Sequence, residues 1–242
     1  MVWNEHLKRE IPEGWRAGVS GELIEAVRTG LNPRQNFSLV TTGIAYLTVK
    51  NIDLQGMLDL KNCDFIDEAA RAKVQRRSDL RVGDILFASI LPLQRCFLIQ
   101  EEPEFWNINE SVFSVRPSSK TTSEYLYSYL MSAHFTRQAE QNSSGSIFKG
   151  IRHETLKNMS TVIPPIEIAR NFTNLTQQSM KMRFENWKEN QLLHELRDWL
   201  LPMLMNGQVT VSSESTKLSF VCLPAAGRAR ENRCHQIILR IH

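Results

Sequence analysis

Residues 167–205 read EIARNFTNLTQQSMKMRFENWKENQLLHELRDWLLPMLM, with no glycine, no proline before Pro202 and a majority of polar side chains. A heptad frame fits this stretch, with seam positions Phe172, Leu175, Ser179, Met182, Asn186, Glu189, Leu193, Leu196, Leu200 and Met203, of which seven in ten are apolar. At 1.5 Å per residue that seam is about 48 Å long. So narrow a stripe on so long a helix is not covered along its whole length by a small domain. It calls for a partner helix, and the pattern predicts a coiled coil. The polar seam residues Ser179, Asn186 and Glu189 would then fix register at a cost in stability. The alternative is a helix folded back on its own domain. Phe184, Trp187 and Trp199 fall mostly off the seam, either as packing residues or as a docking face for a partner.

Moving toward the N-terminus, Ile163-Pro164-Pro165 is a stiff extended break, because proline fixes its own φ and keeps the preceding residue extended. Residues 142–150 (NSSGSIFKG) are loop-like. Before them, short strand-like runs alternate with turns and helices. Ile44 to Val49, Asp84 to Ser89 and Ser111 to Val115 read as strands, the last stopped at Arg116-Pro117. Glu124 to Gln141 reads as one helix capped by Thr122 or Ser123. Asp67 to Asp79 reads as a short helix with a basic face. The pattern divides the chain into an α/β (mixed α+β) domain over 1–163, a long coiled-coil-forming α-helix over 164–207 and an atypical tail over 208–242. The tail has no periodicity and reads as disordered or as the product of a shifted frame.

Composition narrows the function classes. The chain has 242 residues, 42% hydrophobic and 23% charged, ordinary values for a globular protein. No apolar run reaches the roughly 18 residues a membrane span needs, and the opening MVWNEHLKRE lacks the form of a secretory signal. A cytoplasmic location without membrane contact is expected. Cys63, Cys96, Cys222 and Cys234 form no C-x-x-C pair, so neither a zinc site nor a disulfide framework is expected. Net charge is +3, and residues beyond Val211 carry all of it, with five Lys/Arg against two Glu. Any nucleic-acid binding by the rest must come from local basic surfaces.

Catalytic patterns are missing. Gly145 and Gly150 have phosphate-loop spacing, but Ile151 and Arg152 stand where Lys and Ser/Thr are needed. Pro164-Pro165 resembles the core of the N-P-P-Y motif of adenine methyltransferases, yet Ile163 and Ile166 flank it and supply neither amide nor aromatic ring for a flipped base. His6, His134, His153, His194, His235 and His242 make no H-E-x-x-H pattern. No catalytic and no metal site is expected.

An ordered series of motifs resembles the HsdS-type specificity subunits of type I restriction–modification enzymes. It comprises Ile11 to Trp15 (IPEGW) with Gly21-Glu22-Leu23, Arg28 to Pro33 (RTGLNP), Tyr46 to Ile52 (YLTVKNI), Leu80 to Ser89 (LRVGDILFAS) and Asn107 to Pro117 (NINESVFSVRP). Gly145 to Leu156 (GSIFKGIRHETL), Val162 to Pro165 (VIPP), the helix and Leu200 to Val209 (LLPMLMNGQV) complete it. Each motif is weak alone, but their order over residues 11–211 is specific. The resemblance implies a target recognition domain followed by a spacer helix, in a form with one of each where such subunits usually hold two. It implies a non-catalytic chain that directs separate methyltransferase and restriction/translocase subunits to double-stranded DNA. S-adenosylmethionine, ATP and magnesium would be cofactors of those partners, with none in this chain. The competing readings are an inactive truncated remnant and a coiled-coil protein-interaction module.

A target reader needs cationic and polar side chains on loops that reach phosphates and base edges. The candidates are Arg34 after the turn at Pro33, Lys50 and Asn51 after the first strand, Arg95 after Leu91-Pro92-Leu93, and Ser143, Ser146, Lys149 and Arg152 in the richest loop. A solvated surface role is the alternative for each. The dimerisation candidates are Phe172, Leu175, Met182, Asn186, Leu193, Leu196 and Leu200. The run Arg71, Lys73, Arg76, Arg77 and Arg81 either grips phosphate or forms a solvated helix face.

Overall fold

The computed structural model describes residues 1–5, 7–90, 93–143 and 150–208. In chain order the strands are β1 (Val2–Asn4), β2 (Arg9–Ile11), β3 (Arg16–Val19), β4 (Ile24–Thr29), β5 (Ile44–Leu47), β6 (Asp64–Ile66), β7 (Ile85–Ala88), β8 (Cys96–Leu98), β9 (Trp106–Ile108), β10 (Val112–Pro117) and β11 (Ser160–Ile163). The helices are α1 (Glu68–Ser78), α2 (Ser123–Leu130), α3 (Ala133–Gln141), α4 (His153–Lys157) and α5 (Ile166–Met205). The mixed α/β domain followed by a long helix is as the sequence predicts.

The central sheet has the order β4-β10-β7-β8, antiparallel throughout. Strands β7 and β8 are buried at every position, as their continuous apolar runs ILFA and CFL require. A second sheet, β6-β5-β9, pairs β5 with β9 in parallel. The segment that follows IPEGW pairs with the start of VIPP, because β3 runs antiparallel to β11. One core cluster gathers Leu23, Ile85, Phe87, Val115, Leu126, Leu130, Phe135 and Leu156 around α2 and α3. Another joins Leu47, Ile52, Leu86, Ile99 and Ile108 between the sheets.

The sequence reads residues 124–141 as one helix, but α2 and α3 are separate. Thr122 caps α2 by accepting from the Tyr125 amide at 3.3 Å, and Ser132 caps α3 by accepting from the Phe135 amide at 3.2 Å. A cap residue takes extended dihedrals, so Ser132 breaks the run. Helix α1 starts at the cap Asp67, and Asp79 ends it in the left-handed region at φ 42°.

The chain divides into two compact units, one of Met1–Trp187 and one from Lys188 onward. The break expected at 163/164 marks where α5 begins, but the first unit continues through Trp187. Along this part of α5, Ala169 and Phe184 are buried, and the Phe172 ring packs edge-on to Tyr125 at 5.9 Å. The Thr173 hydroxyl meets Thr122 Oγ1 at 2.8 Å, and Trp187 Nε1 donates to the Leu58 carbonyl at 3.1 Å. The Phe184 and Trp187 rings stack at 5.5 Å, and both lie near Phe97. Each large apolar side chain fully buried this way contributes roughly 1.5–3 kcal/mol. Through Trp187 the helix therefore folds back on its own domain, and Phe172 is committed to that contact. The packing face is offset from the expected seam, so Leu175 (80% exposed), Met182 (57%) and Asn186 stay at the surface.

Within the second unit, α5 ends in a Schellman turn. Gly207 at φ 68° donates to the Leu204 carbonyl, and Gln208 donates to the Met203 carbonyl at 2.9 Å. Leu193 is exposed, and Leu196 and Leu200 are half-buried. No helix among the described residues is long and apolar enough to cross a membrane. The tail over 209–242 lies outside the described residues.

Candidate nucleic-acid interface

Backbone hydrogen bonds tie several strand ends together along one edge of the domain. Gly30, after β4, donates to the Asn109 carbonyl at 3.2 Å, and Asn109 donates to the Leu47 carbonyl at the end of β5 at 2.8 Å. Ser89, after β7, donates to the Ser111 carbonyl at 3.0 Å, and Ile151 donates to the Ser89 carbonyl at 2.8 Å. Each link forces the loop beyond it onto the same rim. Two glycines make these approaches possible. A Cβ at Gly30 would overlap the Ile108 carbonyl oxygen, and one at Gly150 would stand 2.7 Å from the Ser89 carbonyl oxygen. Any side chain there pushes backbone from backbone.

The rim carries four of the expected DNA-contacting cations. Arg34 is exposed in the loop after β4. That loop is held by the Tyr46 hydroxyl on the Leu31 carbonyl, by Phe37 edge-on to Tyr46 at 5.5 Å and by Asn32 on Glu110 at 2.5 Å. Lys50 is exposed on the 3-10 turn Val49–Asn51 after β5. Arg95 is half-buried, and its Nη1 donates to the Val49 carbonyl at 3.0 Å, next to Lys50. Arg152 is exposed just ahead of α4.

Asn51 is a correction. It is 3% exposed, and its amide is fully used inside the turn. Oδ1 accepts from the Thr48 amide at 2.9 Å and its hydroxyl at 3.0 Å, while Nδ2 donates to the carbonyls of Asp59 and Asn62. It shapes the turn that presents Lys50 and has nothing left for a base. Ser143 donates to the Glu140 carbonyl at 2.8 Å at the end of α3. Ser146 and Lys149 lie outside the described residues.

A charge network missing from the sequence reading ties the end of α1 to the central sheet. Asp79 sits within 2.7 Å of Arg28, 3.0 Å of Arg81 and 3.1 Å of Arg116. Arg116 also grips Asp84, which is 1% exposed. Partial burial works against ionisation of Asp79, yet hydrogen bonds from Arg116 and the charges of Arg28 and Arg116 outweigh it and hold the carboxyl below the usual carboxylate range. Five residues build this network, Asp79, Arg81 and Asp84 from one short stretch and Arg28 and Arg116 from distant ones, and only the pairing of β4 with β10 and the stop of α1 bring them together. Among the described residues no group of three or more His, Cys, Asp or Glu is placed to hold a metal ion.

A model of the type I restriction modification DNA specificity domain matches residues 12–194. The chain belongs to this family. It is 24% identical over 212 residues to the type I restriction enzyme MjaIX specificity subunit of Methanocaldococcus jannaschii, a match covering 87% of this chain and 48% of that protein. It is 28% identical over 102 residues to the HindI specificity subunit of Haemophilus influenzae, covering 42% of this chain and 22% of that one. The fold is similar to the HsdS subunit of Thermoanaerobacter tengcongensis, with TM-score 0.53 at 18% identity over 86% of this chain and 52% of that one. A type I S subunit from M. genitalium gives TM-score 0.53 at 12% identity, over 82% of this chain and 48% of that one. The chain spans about half the length of the MjaIX specificity subunit.

Proposed function

We propose that this chain is a DNA-reading subunit of a type I restriction–modification enzyme, and that its rim of tied strand ends reads the target. The observation that carries this is the convergence of Arg34, Lys50, Arg95 and Arg152 on one edge of a domain whose family is a DNA specificity domain. Loops on a rigid sheet are the usual place for such contacts. The chain itself is read as non-catalytic. It directs a methyltransferase subunit and a restriction/translocase subunit, which carry the S-adenosylmethionine, ATP and magnesium chemistry. Selection from random duplex DNA, with the methyltransferase subunit present, should enrich one motif; enrichment of none defeats the reading.

Pairing of two copies through α5 is part of the proposal. Beyond Trp187 the helix exposes Leu192 (66%), Leu193 (54%), Leu201 (53%) and Met205 (79%). These join Leu196 and Leu200 in an apolar set at helical spacing that a second copy would cover. Two-fold pairing uses one patch twice, so the target would be palindromic around a spacer. Sedimentation should show a dimer at micromolar concentration, and a monomer there overturns the pairing.

A further inference from the structure

The structure sorts the basic run of α1 and the turn after it into charges that stand beside carboxylates and charges that do not. Arg71 pairs with Glu68 at 3.5 Å and Arg81 with Asp79 at 3.0 Å. Arg76 lines a groove of about 430 Å³ together with Glu102 and Glu104. Lys73 and Arg77 are left, both exposed and four residues apart, hence on the same helix face. Among the described residues neither has an ion-pair partner.

That face meets the rim at Lys73, and its Arg77 end lies within charge range of His153. Lys73 Nζ donates to the Asn36 carbonyl at 3.2 Å, in the loop that carries Arg34. At the other end, Asp79 closes α1 and pairs with Arg28 of β4 at 2.7 Å. Its neighbour Thr29 lies opposite Phe113, whose ring is 4.2 Å from that of His153, the residue after Arg152. Burial pushes the His153 imidazole below its ordinary range, and the charges of Lys157 and Arg77 push it further, which agrees with cations gathering there. A row of positive groups thus runs from Arg34 through Lys73 and Arg77 to Arg152.

We propose that the Lys73–Arg77 face of α1 binds the phosphate backbone of the DNA whose bases the rim reads. This rests on the DNA-reading role proposed above. The occupant is fixed by charge: unpaired cations in a row suit a polyanion. Such contacts add affinity without sequence preference.

The test is duplex binding by the full-length chain as a function of salt, with Arg77→Gln, Arg76→Gln and the unaltered protein. Arg77→Gln should reduce the slope of log K against log salt by about 1. It should weaken the selected and the scrambled duplex by the same factor and leave the melting midpoint unchanged. Arg76→Gln, beside Glu102 and Glu104, should leave the slope as it is. An unchanged slope for Arg77→Gln, or a drop for Arg76→Gln alone, overturns the assignment while the DNA-reading role stands. No binding of any duplex by the unaltered protein, with or without its methyltransferase partner, overturns both.

Discussion

Arg116 straddles Asp84, with Nε 2.8 Å from one carboxylate oxygen and Nη2 2.8 Å from the other. The carboxylate is 2% exposed and the guanidinium 11%, and Arg116 carries Asp79 on its remaining edge. Planar two-point pairing of this kind is why arginine and not lysine suits the position. Removing the guanidinium leaves a buried carboxylate uncompensated. Arg116→Ala should therefore destabilise the domain by about 3–5 kcal/mol. Urea unfolding checks this, and a loss below about 1 kcal/mol, the range of exposed pairs, would show the pair to be incidental.

Acid should act through the same cluster and through the separate Arg16–Glu22 pair. Asp79 and Glu22 both have folded pKa values below their ordinary ones, Asp79 through its arginines against the pull of burial, Glu22 through its hydrogen bond with Arg16. A carboxylate depressed on folding contributes stability above its unfolded pKa and loses it as pH falls through the folded value. Stability should be steady at neutral pH and decline as pH drops below the ordinary carboxylate range. Asp79→Asn should flatten part of that decline in unfolding measured across pH, and an unchanged profile would contradict the assignment.

Gly30→Ala puts a methyl group onto the Ile108 carbonyl, where only backbone can yield. Overpacking of this kind costs about 1–3 kcal/mol or more. The Gly30–Asn109 link should open, moving the Arg34 loop. Thermal melting and sequence discrimination should fall together.

Asn51 and Lys50 separate support from contact. Asn51→Ala leaves the carbonyls of Asp59 and Asn62 without their donor and should cost about 1–3 kcal/mol. Lys50→Ala should leave the melting point within error and weaken DNA binding. If Lys50→Ala has no effect on binding at low salt, Lys50 is merely solvated.

The two parts of α5 should respond differently. Phe184→Ala removes a buried ring and should cost about 3–5 kcal/mol of domain stability. Leu193→Ala touches an exposed position and should shift monomer stability by no more than about 0.5 kcal/mol. It should weaken pairing of two copies in sedimentation if the helix is the dimer contact.

Strands β5, β7 and β10 and helix α1 were legible in the sequence because apolar runs and caps act locally. The break at Ser132 was not, because a cap inside a periodic run looks like an ordinary polar residue. Neither was the offset of α5: its apolar residues satisfy two faces, and only the positions of Leu58, Phe97 and Tyr125 decide that Phe172, Phe184 and Trp187 turn inward. Arg34, Lys50 and Arg152 were picked out as cations on loops, and all three are exposed. Asn51 was picked out as a polar residue beside Lys50, but burial removed it, and burial depends on the loop around Asp59 and Asn62. Lys73 and Arg77 stood in a run whose five charges looked alike until Glu68, Asp79, Glu102 and Glu104 were placed around them.

The reading of DNA sequence by the rim is tested most directly by selecting binding sites from random duplex DNA with the unaltered chain and with an Arg34→Ala, Lys50→Ala double variant, each joined to the methyltransferase subunit. The expected result is one motif for the unaltered chain and relaxed or altered preference at defined positions of it for the variant. The same motif from both, at equal stringency, would contradict a rim that reads bases.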